Sequence, residues 1–139
     1  MSDPTAHHVG ITVSDLETTL PFYRDVLDLP VLDRFEVGGA AFAEAVGVDD
    51  ARARFVHLDA NGIRLELVAY EPDARKSPPA GLNQPGASHV GLEVDDIEAF
   101  YATLPADVQT LSEPQTTESG TTVLFLRDPE ANLIEVLEL

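Results

Sequence analysis

Apolar and polar residues alternate in the same way at two places in the chain. In residues 8–13 and again in residues 89–94, valine, isoleucine or leucine fills every second position after an initial histidine. This period of two predicts a strand with one apolar face. Each strand is followed by an acidic segment and then by apolar residues at wider spacing. The pattern therefore predicts a strand followed by a helix, twice.

The first helix is predicted from Leu16, Leu20, Tyr23 and Leu27, which recur at close to 3.6-residue spacing. Pro21 lies inside this segment, and a proline removes a backbone donor. We therefore expect a kink or a late start within the helix.

The starts of both helices carry side chains that can cap them. Ser14 and Glu17 have the spacing of a capping box, and Asp95 or Asp96 can cap the second helix. The apolar residues of the second helix are Ile97, Phe100 and Leu104, and we expect this helix to end before Pro105.

Three further strands are predicted in each half of the chain. Their approximate ranges are 31–37, 52–59 and 63–70, then 108–113, 121–127 and 133–139. Residues 59–62 and 128–132 are rich in Asp, Asn, Gly and Pro, as hairpin turns are. The predicted order is βαβββ, a linker, and βαβββ, an α+β arrangement of two tandem modules.

The two modules are copies of one unit. Besides the opening strands, residues 62–67 resemble residues 131–136, with a glutamate at the fifth position of each segment. The offset between copies is smaller at the closing strand, so the second copy is shorter, which fits an extra segment at 35–50. We predict a single domain, 1–139, with module one at about 6–70, a linker at 71–86 and module two at about 87–139.

Composition restricts the partners and the chemistry. The chain has no cysteine, so any metal site must use nitrogen and oxygen ligands. Its 25 acids against eight bases give a net charge of −17 that is spread along the chain. Such a surface repels phosphate backbones and anionic lipids, so we expect neither a nucleic-acid nor a membrane partner. Residues 1–5 lack the features of a signal peptide, and we expect a cytoplasmic protein.

The acidic composition also predicts a response to salt. Lys76 is the only lysine, a scarcity typical of proteins from high-salt cytoplasms. Because like charges repel, and the Debye length falls to roughly 3 Å at about 1 M salt, we expect stability to rise from dilute buffer to molar salt. The melting temperature across a potassium chloride series checks this. A midpoint that stays flat or falls contradicts halophilic adaptation.

Strand alternation indicates which polar side chains share a face. The apolar positions of the opening strands must face the helices, which leaves His8 and His89 on the opposite face. In the closing strands, Glu66 and Glu135 each stand between apolar residues, so they also point away from the helices.

The recurrence of both residue types in register predicts a metal site. His8, Glu66, His89 and Glu135 can converge on one divalent ion of a kind that prefers nitrogen and oxygen: Zn, Ni, Co, Mn or Fe. A single His or Glu on a strand is more often structural, and His7 and His57 are interpreted in that way. Arg64 has the parity of Glu66 and can bind a substrate carboxylate or phosphate, or form a surface ion pair.

These features resemble the vicinal oxygen chelate superfamily, which includes glyoxalase I, methylmalonyl-CoA epimerase, fosfomycin-resistance proteins, bleomycin-binding proteins and extradiol dioxygenases. The resemblance is carried by the His-Val-Gly starts at His8 and His89, by Phe-Tyr-Arg at 22–24, and by the closing segment 128–135. It implies paired βαβββ modules that form a curved mixed-sheet cup around a metal, with helices outside. It places the metal ligands at His8, Glu66, His89 and Glu135.

The resemblance also implies a reaction. The His-Glu-His-Glu set is similar to that of glyoxalase I, which implies a metal-dependent isomerase or lyase that chelates vicinal oxygens of a small-molecule substrate. A proton would then move through an enediolate, with Glu135 as general base and Glu66 as its partner. The alternatives are an epimerase-like racemase, whose family typically has Gln at the Glu66 position, and a non-catalytic ligand-binding member. We expect a homodimer.

Overall fold

The computed structural model describes residues 3–77 and 81–139 of the chain. It divides into two compact units, Met1–Lys76 and Ser77–Leu139, each of which is considered by itself. Residues 1–2 of the N-terminal segment and residues 78–80 of the predicted linker lie outside the described residues. The single domain 1–139 with its linker stays a prediction. In the described part of the chain, no helix is long and apolar enough to span a bilayer.

The first unit is a four-stranded mixed sheet with helices. Its elements are β1 (His8–Thr12), α1 (Leu16–Pro21) continuing as a π-helical turn (Phe22–Val26), β2 (Val31–Val37), α2 (Ala40–Val46), β3 (Arg52–Asp59) and β4 (Arg64–Glu71). The strand order is β1-β4-β3-β2. β1 runs parallel to β4, and the other pairs are antiparallel. The first and last strands of the module are therefore neighbours.

The start of α1 differs from the sequence prediction. Asp15, not Ser14, is the N-cap, because its carboxylate accepts hydrogen bonds from the backbone N–H groups of Glu17 and Thr18. The Thr18 hydroxyl also donates to this carboxylate. Together with the Thr18 backbone bond, it holds the pKa of Asp15 below its usual value. An ionised carboxylate also suits the positive end of the helix.

The predicted disturbance at Pro21 is confirmed. After Pro21 the helix widens into the π-helical turn, where the N–H of Leu27 donates to the carbonyl of Phe22, five residues earlier. The change of pitch keeps Tyr23 fully buried. A proline without an N–H explains why the regular ladder is interrupted here.

The second unit repeats the plan with shorter elements. It contains β5 (His89–Glu93), α3 (Ile97–Ala102), β6 (Gln109–Thr110), β7 (Gln115–Thr116), β8 (Thr122–Arg127) and β9 (Leu133–Glu138). The order is β5-β9-β8-β6, with β7 also paired to β8, and β5 is parallel to β9. Asp96 caps α3, and the Glu138 carboxylate accepts from the N–H of Ile97. The α+β class and the two mixed sheets are confirmed.

The strand predicted at 108–113 is interrupted. Only Gln109–Thr110 pairs there, and a second short strand, Gln115–Thr116, follows on the same neighbour. Between them, Ser112 and Gln115 donate side-chain hydrogen bonds to the carbonyl of Glu113, and Pro114 has no N–H to give to a ladder. Local polar contacts thus replace the continuous pairing that the sequence pattern predicts.

One face of each sheet is packed by its helix. In the first unit this face is formed by Val56, Leu58, Leu65 and Leu67, all 3% exposed or less, against α1. In the second unit it is formed by Leu124, Leu126, Ile134 and Val136, all 1% exposed or less, with α3 packed against β8 and β9. The alternation therefore leaves Glu66 and Glu135 on the other face of their sheets, as the sequence predicts.

The helix α2 was not predicted from the sequence. It lies in the extra segment of module one and ends at Gly47, whose φ of 69° suits glycine. Its Phe42 packs over a cluster on the face opposite α1, which contains Phe35, Val37, Ala53, Phe55, Val68 and Tyr70. The aromatic rings of this cluster stack, with 4.9 Å between Phe35 and Phe55. The first sheet is therefore packed on both faces.

Candidate functional site

The first unit brings His8 and Glu66 together. In the parallel pairing of β1 with β4, Gly10 stands opposite Glu66 and His8 opposite Arg64. The Nε2 atom of His8 lies 3.6 Å from Oε2 of Glu66. A Cβ at Gly10 would lie 3.6 Å from Oε1 of Glu66, in ordinary contact. Gly10 therefore lies directly beside Oε1 of the carboxylate.

His57 is the third member of this group. It stands opposite Glu66 in the antiparallel pair of β3 and β4, and its Nε2 lies 2.8 Å from Oε2 of Glu66. Its ring stacks on that of His8 at 6.0 Å and meets Phe35 edge-on at 5.0 Å. Sequence reasoning treated His57 as structural because it has no counterpart in copy two. The hairpin at 59–62 was the missed signal, because it places His57 across from Glu66.

The second unit contains the equivalent pair. The Nε2 atom of His89 lies 3.2 Å from Oε2 of Glu135, and Gly91 stands opposite Glu135 in the parallel pairing of β5 with β9. A Cβ at Gly91 would again lie 3.6 Å from the glutamate carboxylate. The geometry of His, Gly and Glu therefore recurs in both units.

Two positions on this face differ between the units. Phe125 stands opposite Glu135, where the first unit has His57, and its ring meets His89 edge-on at 5.3 Å. Leu133 stands opposite His89, where the first unit has Arg64 opposite His8. The first unit thus adds a hydrogen-bond donor and a cation that the second unit lacks.

Arg64 and His7 complete the set of residues that the sequence singled out. Arg64 is half-buried and lies on the same face of the sheet as Glu66. Within residues 3–77 and 81–139, its guanidinium forms no ion pair. His7 is exposed, and its Nδ1 lies 2.9 Å from Nδ1 of His8. This contact leaves Nε2 of His8 directed to Glu66.

The donor atoms suit a metal of the predicted kind. Each unit presents one imidazole nitrogen and one carboxylate on one face, which are ligands for Zn, Ni, Co, Mn or Fe. Neither pair is sufficient alone, and the described residues include no group of three or more His, Asp or Glu side chains that could hold an ion. His57 does not add a ligand, because its Nε2 faces the Glu66 carboxylate.

A separate cavity of about 310 Å³ lies at the other end of β3 and β4. It is lined by Arg52 and Arg54 together with Glu36, Glu71 and Asp73, and it includes none of the four predicted ligands. Because the three acids outnumber the two arginines, the cavity has no excess positive charge to attract an anion. The paired His and Glu side chains are the stronger candidate site.

The chain is similar in sequence to curated epimerases. The chain is 32% identical over 126 residues to the mitochondrial methylmalonyl-CoA epimerase of Homo sapiens, covering 86% of this chain and 64% of that protein. It is 30% identical over 121 residues to a 2-epi-5-epi-valiolone epimerase of Actinomyces sp, covering 82% of this chain and 66% of that protein. The chain thus spans slightly less than two thirds of these relatives.

Solved structures share the fold. A glyoxalase family protein from Bacillus cereus matches 99% of this chain and 95% of its own, with a TM-score of 0.86 and 20% identity. The trypanothione-dependent glyoxalase I of Leishmania major matches 98% of this chain and 87% of its own, with a TM-score of 0.68 and 23% identity. A sequence model of one family matches residues 5–136. The chain belongs to the Glyoxalase/Bleomycin resistance protein/Dioxygenase superfamily.

Proposed function

We propose that the protein is a metal-dependent enzyme that removes and returns a proton on a carbon next to a carbonyl group. The observation that carries the proposal is the repeated pairing of His with Glu, at 3.6 Å in one unit and 3.2 Å in the other. Together, His8, Glu66, His89 and Glu135 hold one divalent ion. The four ligands come from one chain or from two chains of a homodimer. The homodimer and the cytoplasmic location stay predictions.

The chemistry divides between the ion and the side chains. These four residues would hold the divalent ion, and the ion would supply stabilisation of the negative charge on the substrate oxygens when the neighbouring C–H bond ionises. Glu135 is the general base, because a carboxylate within reach of that carbon can take the proton and give it back. Glu66 is its partner on the opposite side of the substrate. Arg64 binds a carboxylate or phosphate of the substrate through its guanidinium.

The two pairs are not equivalent, and the difference supports Glu135 as the base. The Glu135 side chain is 22% exposed and has His89 as its partner at 3.2 Å, whereas Glu66 is 12% exposed and is bonded to His57 at 2.8 Å. A carboxylate with fewer bonds can reorient more readily when it takes a proton. Glu66 is the more constrained of the two.

The curated relatives favour an acyl thioester as substrate. Two methylmalonyl-CoA epimerases match over most of this chain at 32% identity. Epimerisation of a 2-methyl acyl-thioester consists of proton removal from the carbon next to the thioester carbonyl and return to its other face. Removal of that proton is the step proposed for Glu135.

A glyoxalase-type reaction is the second candidate. The glutamate at position 66 favours this reaction. Both closing strands of this chain supply a glutamate, whereas the epimerase typically has Gln in place of Glu66 and Glu in place of Glu135. Its substrate class is the adduct of a thiol with a 2-oxoaldehyde. The proton transfer and the four proposed ligands are the same in both reactions.

Proton exchange tests the proposal. Metal-loaded full-length protein in molar salt should exchange the C2 hydrogen of methylmalonyl-CoA for deuterium in D₂O, followed by NMR, and lose this activity when a chelator removes the metal. Turnover of the 2-oxoaldehyde thiol adduct alone would assign the glyoxalase reaction instead. Binding of both compounds without exchange would contradict catalysis and indicate a ligand-binding member.

A further inference from the structure

We propose that His57 is a positioning residue that fixes Glu66 through a hydrogen bond from Nε2–H to Oε2. An ionised carboxylate can only accept hydrogen bonds, so the imidazole is the donor in their 2.8 Å contact. A donating Nε2 has no lone pair for a metal, so this atom supports the Glu66 ligand instead of serving as one. The inference rests on the proposed role of Glu66 in holding the ion.

The surroundings of His57 favour one ring orientation. The side chain is 9% exposed, lies edge-on to Phe35, and stacks on the ring of His8. A ring held on two sides keeps its Nε2–H directed at Glu66. Oε2 of Glu66 takes part in this bond and also lies 3.6 Å from Nε2 of His8, whereas Oε1 lies on the side of Gly10.

The second unit shows what the site is like without this bond. Phe125 takes the place of His57 opposite Glu135, and a phenyl ring has no donor. Glu66 therefore has a donor opposite it on the neighbouring antiparallel strand, whereas Glu135, which has His89 as its partner at 3.2 Å, has no donor at the equivalent position. This difference gives the proposed division of roles a structural cause: Glu66 is the constant ligand, and Glu135 is the carboxylate that moves the proton.

Two substitutions separate this role from simple packing. His57→Phe installs the residue of the second unit and preserves aromatic contact with Phe35, but removes the donor. His57→Gln loses the ring but keeps an N–H donor in the side-chain amide. A packing role predicts that Phe is tolerated and Gln is not, whereas a positioning role predicts the reverse.

The experiment measures metal affinity without substrate. Metal is first removed from the full-length protein, and the affinity is then measured by competition with a chromophoric chelator. His57→Phe should weaken cobalt(II) or zinc(II) binding by about 10- to 100-fold, the usual effect of losing a bond to a ligand, while His57→Gln should stay within a few-fold of wild type. The visible absorption bands of the cobalt(II) form should change in His57→Phe and not in His57→Gln. Melting curves of the metal-free variants check that both are folded.

The outcomes separate this inference from the proposed function. Equal affinities in wild type and His57→Phe, or a larger loss in His57→Gln than in His57→Phe, would overturn the positioning role whether or not the protein turns over a thioester. Wild type without measurable metal affinity would also overturn it. In the metal-free protein, long-range ¹H–¹⁵N NMR of the imidazoles should show His57 protonated at Nε2, and a bare Nε2 would exclude the bond. The predicted affinity pattern without any turnover would support the positioning role and contradict catalysis.

Discussion

Glu135→Gln is expected to retain much of the bound metal and to reduce turnover by roughly 10²-fold or more, the usual scale for losing a general acid–base group. The amide keeps an oxygen that can stay near the ion, but it cannot accept the substrate proton. Steady-state kcat and metal content, measured on the same preparation, check both parts of the expectation. A fully active Glu135→Gln with metal bound would show that the base lies elsewhere.

Two further glutamate-to-glutamine variants serve as comparisons. Glu66→Gln keeps an oxygen that can accept from His57, so an epimerase reaction should tolerate it better than a glyoxalase reaction does. Glu118→Gln makes the same charge change in the exposed turn between β7 and β8, and it should leave kcat unchanged. If the Glu118 variant loses activity as Glu135→Gln does, the effect comes from charge and not from the base.

Removing any one of the four proposed ligands should weaken metal binding strongly. The expected loss of affinity is larger than the roughly 10- to 100-fold that follows when a residue hydrogen-bonded to a ligand is replaced. His8→Ala, Glu66→Ala, His89→Ala and Glu135→Ala each delete one of the donor atoms of the two pairs. Wild type should bind one equivalent per complete site. Elemental analysis after dialysis and the chelator competition measure stoichiometry and affinity.

His7→Ala is the matched control for the histidines. It removes the neighbouring imidazole, which is exposed and whose Nδ1 contacts Nδ1 of His8, so Nε2 of His8 stays available. We expect a small change in affinity. Should two of the four ligand variants keep wild-type metal content, the ligand assignment would be wrong.

The sequence predicted the strands better than the segments between them. The bounds of β2 and β3 agree with the predicted ranges 31–37 and 52–59. The helix α2 could not be recognised, because its seven residues include no buried side chain and a single large ring, Phe42. The break between β6 and β7 depends on side-chain bonds to one carbonyl, which periodicity does not report.

Strand alternation predicts which residues of the candidate site share a face of the sheet. Alternation assigned Glu66 and Glu135 to the face away from the helices, and the repeat paired each with a histidine. What the pattern did not provide was the cross-strand neighbour, so His57 was interpreted as structural although the strand pairing puts it opposite Glu66. Distances between side chains on different strands depend on register, and a hairpin turn fixes that register.

The parallel pairing of first and last strands has a consequence for how the protein folds. The partner strands of β1 and β5 are β4 and β9, which are synthesised only after the helix and the intervening strands. Each parallel pairing therefore joins residues from opposite ends of its module. Pairings between residues distant in sequence are slow to form, because the entropy of closing the loop must be lost first. The hairpins of β3 with β4 and of β8 with β9 are local and can form early. During synthesis, the His57–Glu66 bond can therefore exist before His8 reaches Glu66, and the pairs His8–Glu66 and His89–Glu135 are among the last contacts to be completed.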